Sequence, residues 1–273
     1  MNWVLRLRQT PALRVDLRGL LPTALAALDA TGVAQQRVWH GNETLALGDL
    51  FGIEPGAASD VPQLRFEGDL SRMDGLGWGL EAGLIVVEGS VGDHLGTQMR
   101  SGEIRVSGDA GDLAGCEMSG GRLGIAGNVG DFAASPLPGS MDGMRGGVLD
   151  VRGHAGARFA DRMRRGTAVV HGDVGDFFAS RLVAGTVALG GRCGAHPGYG
   201  MRRGSLVFAG AAPEAVPVTF VPTRHDLRVF WALLARELRG HGGVFAGLGQ
   251  REPQRFVGDL AAGGQGEWLV LDH

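Results

Sequence analysis

The side chains of this 273-residue chain that could do chemistry are eight histidines, two cysteines, a recurring set of aspartates and a row of arginines. Histidine and cysteine raise metal binding first. His94 and His196 occupy the same place in a nineteen-residue repeat, but five units apart. At the strand spacing that is about 24 Å, whereas zinc ligands all lie within about 2.3 Å of one ion. His154 and His171 fall in adjacent units, near enough to meet, but no third ligand matches them. Cys116 and Cys193 alone supply neither a disulfide framework nor a four-cysteine zinc site. A G-x-S-x-G elbow, a phosphate loop and a dinucleotide turn are all missing, and the many Gly-x-x-Gly matches belong to the repeat. The expectation is a chain with no catalytic residue and no metal ligand of its own.

The aspartates Asp93, Asp112, Asp131 and Asp176 each follow the second glycine of a G-x-x-G-D phrase. There a carboxylate can accept a backbone N–H at a turn. A calcium ladder is the functional alternative, but calcium-binding β-rolls repeat every nine residues, and Ala157 and Ala195 interrupt the series. The arginines Arg100, Arg145, Arg164, Arg165, Arg202 and Arg203 stand at the two places after a methionine column. Stacked along one edge, they form either a solvated corner or a contact for an acidic partner or carrier. Arg145 and Arg164 are read as nearest neighbours in adjacent units, a repulsive pair unless an anion or acidic group lies between them.

The elements that must position these residues follow from the repeat. Cut before each short apolar run, the units are 84–102, 103–121, 122–147, 148–166, 167–185 and 186–204; five have 19 residues and the third carries seven more, around 133–141. Places two and four are apolar (Ile85/Val87, Ile104/Val106, Leu123/Ile125 and onward), so each unit opens with a strand that buries one face. Glycine stands at place six and closes every unit, and Met99, Met118, Met144, Met163, Leu182 and Met201 precede the closing glycine by three. Short apolar touches separated by glycine corners predict an all-β-dominated chain: a right-handed parallel β-helix of about seven coils. Both of its ends need covers.

Residues 1–62 are read as a small α+β cap, with strands at 3–8, 13–17 and 43–51 and a helix at 22–30. Residues 63–212 are the glycine-rich β-helix, and 213–273 a helix and tail that cover it. Leu227, Phe230, Trp231, Leu234 and Leu238 recur at helical spacing, with Thr223 and Asp226 as a capping box and Gly240 as terminator. That helix is expected to close the rod, with docking through Phe230 and Trp231 as its second role. No signal segment and no apolar run of membrane-spanning length is seen, which predicts a cytoplasmic chain without membrane contact. A net charge of −3 gives no case for nucleic acid.

The phrases "MRRGTAVVHGDVGDFFASRLVAGTVALGG" (163–191), "GYGMRRGSLVFAG" (198–210) and "FVGDLAAGGQGEWLV" (256–270) resemble the glycine-repeat subunit of formylmethanofuran dehydrogenase and its counterpart in the bacterial formyltransferase/hydrolase complex. They also resemble the C-terminal glycine-repeat domain of glutamate synthase. The resemblance implies a scaffold in a cytoplasmic hetero-oligomer with formyltransferase, amidohydrolase-like and molybdopterin-enzyme-like subunits. Such a complex moves formyl from formyl-tetrahydromethanopterin to a methanofuran-type carrier and hydrolyses it to formate, in formaldehyde oxidation by methylotrophic bacteria. The resemblance also implies that the metals sit in other subunits and that this chain binds no cofactor. The alternative branch is a molybdenum or tungsten formylmethanofuran dehydrogenase. A reading of another class, a self-sufficient hexapeptide acyltransferase or γ-type carbonic anhydrase, requires aliphatic residues every six places, which a nineteen-residue period does not give.

Overall fold

Ile85 and Val87, Ile104 and Val106, and their counterparts at places two and four through Leu206 and Phe208 all point inward and are buried. The computed structural model describes residues 1–271. Its N-terminal part runs β1 (Trp3–Leu7), β2 (Val15–Asp16), α1 (Pro22–Leu25), α2 (Ala30–Ala34), β3 (Arg37–His40), β4 (Glu43–Ala46), α3 (Leu47–Leu50) and β5 (Phe51–Pro55). The repeat contributes β6 (Gln63–Glu67), β7 (Met73–Asp74), β8 (Leu84–Glu88), β9 (Glu103–Val106), β10 (Ser119–Ile125), β11 (Arg145–Val151), β12 (Arg165–Val170), β13 (Thr186–Leu189) and β14 (Ser205–Phe208). There follow β15 (Val221–Thr223), α4 (Arg228–Leu238), β16 (Gln254–Gly258) and β17 (Gly266–Val270).

The fold is mostly β. Thirteen strands form one sheet in the order β15-β16-β17-β14-β13-β12-β11-β10-β9-β8-β6-β1-β5. It is parallel from β1 to β17 and antiparallel only at its two margins. The register is the sequence period: Ile104 faces Ile85, and Val187 faces Ala168, each nineteen residues away. A second contact runs along place eight as single parallel bridges from Leu70↔Val91 to Val174↔Cys193. A third lies in the stretch before the methionine column, where His94 and Gln98 donate forward to Asp112 and Cys116 while Gly96 donates back to Leu76. Such alternation requires left-handed backbone at every other residue, and His94, Gly96 and Gln98 have φ of 62°, 61° and 56°. The methionine column is core: Met99, Met118, Met144, Met163, Leu182 and Met201 are fully buried.

The flanks differ from expectation in four places. The segment 43–51 is not one strand, because α3 intervenes, with Asp49 accepting the Ala46 N–H at 3.0 Å. The first helix stops at Leu25 and a second begins at Ala30, capped by Asp29. Helix α4 starts at Arg228, so Thr223 and Asp226 form no capping box; Asp226 pairs with Arg228 instead. The left-handed residue after it is Gly242 (φ 71°) rather than Gly240.

The fifth difference matters most for the architecture. Helix α4 does not close the stack end-on. Trp231, Leu234, Leu238, Phe245 and Leu248 pack on the outward residues Val169, Ala188, Val207 and Leu269, so the helix clads a side of the sheet. The end is covered by β17, which adds one more parallel strand beside β14; Trp268 packs on Phe208 and Phe220. Among the described residues no helix is long and apolar enough to cross a membrane.

Candidate functional site

Arginines gather where each unit turns toward its closing glycine. Arg100 pairs with Glu81, Arg164 with Asp142, and Arg145 approaches Glu117 at 3.9 Å. Separate carboxylates therefore relieve the repulsion expected between Arg145 and Arg164. In the ladder, moreover, Arg145 stands opposite Arg165, not Arg164. The Glu117 carboxyl is pushed up by burial, but the Gln98 amide, Ser140, the Leu137 N–H and Arg145 hold it below its ordinary value. Arg165, Arg202 and Arg203 are exposed.

Two arginines outside that set complete a groove. Arg162 and Arg181 stand one place before the methionine column, and with Arg164 and Arg202 they line a recess of about 280 Å³ floored by Val183 and Gly200. Arg181 is held by a forked pair, its Nε and Nη2 at 3.0 and 2.6 Å from the oxygens of Asp161. Asp161 is buried and also accepts the Ser180 hydroxyl at 2.6 Å. A guanidinium fixed this way keeps its remaining N–H groups oriented toward the recess. The third unit's insertion borders the same place: the Arg162 guanidinium donates to Met141 Sδ, and Asp142 receives Arg164. Ser135 donates to Phe132 as an ordinary fourteenth place and Met144 to Ala134 as an ordinary sixteenth, which confines the extra residues to 136–143. Gly143 donates to Arg162 instead of to the fourteenth place of the next unit.

The aspartates act as an inter-unit ladder. Asp93, Asp112, Asp131 and Asp176 each accept the backbone N–H of the corresponding residue one unit on, at 3.0, 2.8, 2.7 and 2.8 Å. A second ladder at place seven was not legible as such: Asp109, Asn128, His154 and Asp173 each accept the next unit's N–H. His154 is thereby occupied at its Nδ1. His171 faces elsewhere, its Nε2 3.3 Å from Asp150, so the two histidines do not meet as a pair.

Asp150 is a buried carboxylate between His171, His241 and Arg152. Burial pushes its carboxyl up, but His171, His241 and Arg152 together hold it well below the usual carboxylate range. His241 follows α4, so this cluster fastens the cladding helix to the sheet. The two thiols are poor nucleophiles: burial pushes Cys116 far up and Cys193 up to about 11. On α4 itself Trp231 turns inward and its indole donates to the Arg251 carbonyl at 2.6 Å. Of the pair expected to dock outward, Phe230 and Trp231, only Phe230 is exposed, beside Val229 and Leu233.

The family model described as the GXGXG motif matches residues 75–216. No curated protein matches the sequence. Among solved structures, the crystal structure of the formyltransferase/hydrolase complex (FhcABCD) from Methylorubrum extorquens with methylofuran contains a chain 39% identical to this one, with a TM-score of 0.90. The match covers 99% of this chain and 100% of that one.

Proposed function

Because the chain belongs to the GXGXG motif family and is matched from end to end by one chain of a formyltransferase/hydrolase complex, we propose that it is a structural subunit of such a complex. In this reading its partners are formyltransferase, amidohydrolase-like and molybdopterin-enzyme-like subunits in the cytoplasm. Together they move formyl from formyl-tetrahydromethanopterin to a methanofuran-type carrier and release formate. The catalytic metals belong to those partners, and this chain serves as their scaffold.

The carrying observation is the match at 39% identity to a chain of that complex, over nearly the whole of both chains. Three hydrogen-bonded contacts per nineteen-residue unit support a right-handed parallel β-helix of about seven coils spanning 63–212. The cap is then 1–62, and 213–273 supplies side cladding and the terminal strand. The arginine edge, Arg100, Arg145, Arg164, Arg165, Arg202 and Arg203 with Arg162 and Arg181 beside it, is the surface assigned to an acidic partner or the carrier's acidic portion.

The test is reconstitution. Co-expressed with the three candidate partner subunits, the chain is expected to co-elute in fixed ratio, and formyl-carrier hydrolysis is expected to fall when it is omitted. A chain that stays alone while the other subunits assemble and turn over without it would overturn the reading.

A further inference from the structure

At place eleven of every unit the chain adopts left-handed backbone with a residue other than glycine: His94, Leu113, Phe132, Arg158, Phe177 and His196 have φ between 58° and 63°. Bulky side chains seldom adopt this conformation, and each costs on the order of 1 kcal/mol. The flanking unit shows what the backbone alone asks for, since Gly75 fills that place with φ 71°. Large side chains are retained here against a local penalty, and they stand on the outside.

Four of them, Phe132, Arg158, Phe177 and His196, form a continuous strip. The Arg158 guanidinium lies between Phe132 and Phe177, 5.9 and 4.7 Å from the ring centres. Phe177 in turn meets His196 at 5.1 Å and the edge of Tyr199 at 6.2 Å. Phe132 is 39% and Tyr199 59% exposed. Stacked aromatic rings with an arginine among them are the side chains that dominate the centres of protein interfaces.

One place before the strip stand Asp112, Asp131 and Asp176, all exposed. One oxygen of each accepts the next unit's N–H, and the other has no partner among the described residues. The strip is therefore bordered by outward carboxylate charge, Asp112 and Asp131 in adjacent units and Asp176 two units further on, past Ala157. That border repels nucleic acid and other polyanions. It also disfavours a two-fold contact with a second copy, which would set carboxylates against carboxylates.

We propose that the Phe132–Arg158–Phe177–Tyr199 strip is the docking surface for a basic segment of a neighbouring subunit, laid along the stack so that its arginines or lysines meet Asp112, Asp131 and Asp176. This rests on the reading of the chain as a complex subunit, and names the surface and chemistry of one contact. The arginine groove, of opposite charge, is left for a different ligand.

Two variants test it in the co-expressed complex. Phe132→Asn, Phe177→Asn and Tyr199→Asn together remove the rings, and asparagine tolerates left-handed backbone, so folding is preserved. Asp112→Asn, Asp131→Asn and Asp176→Asn keep the oxygen that accepts the N–H, as Asn128 does for His154, but discharge the border. Each triple variant is expected to leave the melting temperature of the isolated chain within a few degrees and to weaken its binding to partner subunits at least tenfold. The aspartate variant should also reduce the salt dependence of that binding. If the unmodified chain enters the assembly and both variants enter with equal affinity, the strip is not the docking surface. If the unmodified chain enters no heteromeric assembly, the subunit reading fails and the strip's role with it. Self-association lost in the variants would assign the strip to a second copy and overturn the proposal.

Discussion

Nδ1 of His241 lies 2.6 Å from Oδ2 of Asp150, joining residues 91 apart in sequence. Asp150 points outward from β11, and His241 sits just beyond α4, so this one contact ties the cladding helix to the sheet. Arg152 strengthens it by donating to the His241 carbonyl. His171 approaches the other carboxylate oxygen and packs edge-on against Phe245.

Asp150→Ala leaves two histidines and an arginine facing an empty site, and is expected to cost about 3 kcal/mol. Hydrogen exchange should rise first across 228–250, before the strands β8–β12 lose protection. The pH dependence has a definite sign. Because the folded Asp150 carboxyl titrates below its unfolded value, its contribution is fully present above about pH 4. It is lost as the pH falls from there toward the folded value. Urea titrations between pH 6 and pH 3 should show this loss in the wild type and a smaller one in the variant; equal slopes would disprove the coupling.

Met118→Asp is expected to prevent folding. The side chain is fully buried in a column where its neighbours above and below are Met99 and Met144, so a charge there has no partner and no water. Soluble expression and circular dichroism are the readout. A native spectrum would mean that the column is not the core.

The repeat was legible because burying one face of a strand forces alternation, and stacking units forces a constant period. Glycine corners then marked the unit boundaries without help from tertiary context. The position of α4 was not legible. Its apolar stripe predicted a buried face, but the docking surface, Val169, Ala188 and Val207, reads as ordinary strand residues at outward places. The signal lay in the contrast with Arg105 and Asp150 at the same place upstream. Arg162 and Arg181 escaped notice because Gln98 and Glu117 hold their place in earlier units, so no column of one residue type announced them. The ladder at place seven was hidden for the same reason: Asp109, Asn128 and His154 share an acceptor atom, not an identity.

Deleting residues 136–142 restores a nineteen-residue third unit, since Ser135 and Met144 already make the bonds of the ordinary fourteenth and sixteenth places and Gly143 is left as the one residue between them. Shortening a surface loop changes closure entropy by only about 1 kcal/mol or less. The lost contacts are those of the Leu137 N–H and Ser140 to Glu117, of Arg162 to Met141 Sδ and of Arg164 to Asp142. Melting is expected to shift by a few degrees at most, while assembly weakens because Met141 and Asp142 leave the arginine groove. Thermal melting alongside co-elution with partner subunits separates the two effects, and unchanged co-elution would make the loop a tolerated insertion.

The arginine edge gives the last prediction, and its geometry dictates which substitutions are informative. Reversing Arg164 to glutamate would set it against Asp142, and reversing Arg145 would set it against Glu117. Both reversals would confound folding with binding. Arg145→Gln and Arg164→Gln remove charge without that repulsion, and Arg202→Glu can be reversed outright because no acidic side chain pairs with it among the described residues. Exposed ion pairs are individually worth at most about 1 kcal/mol, so each single change is expected to alter affinity for an acidic partner or carrier less than about fivefold. The triple variant is expected to lose several-fold to a hundred-fold, and the wild-type interaction should weaken between about 50 mM and about 300 mM salt as the screening length shortens. Arg181→Gln supplies the contrast. It frees the buried Asp161 from its forked partner, so it should lower the melting temperature as well as the affinity, whereas the triple variant should lower affinity alone. Binding that is indifferent to salt and to the triple change would reduce the edge to a solvated corner.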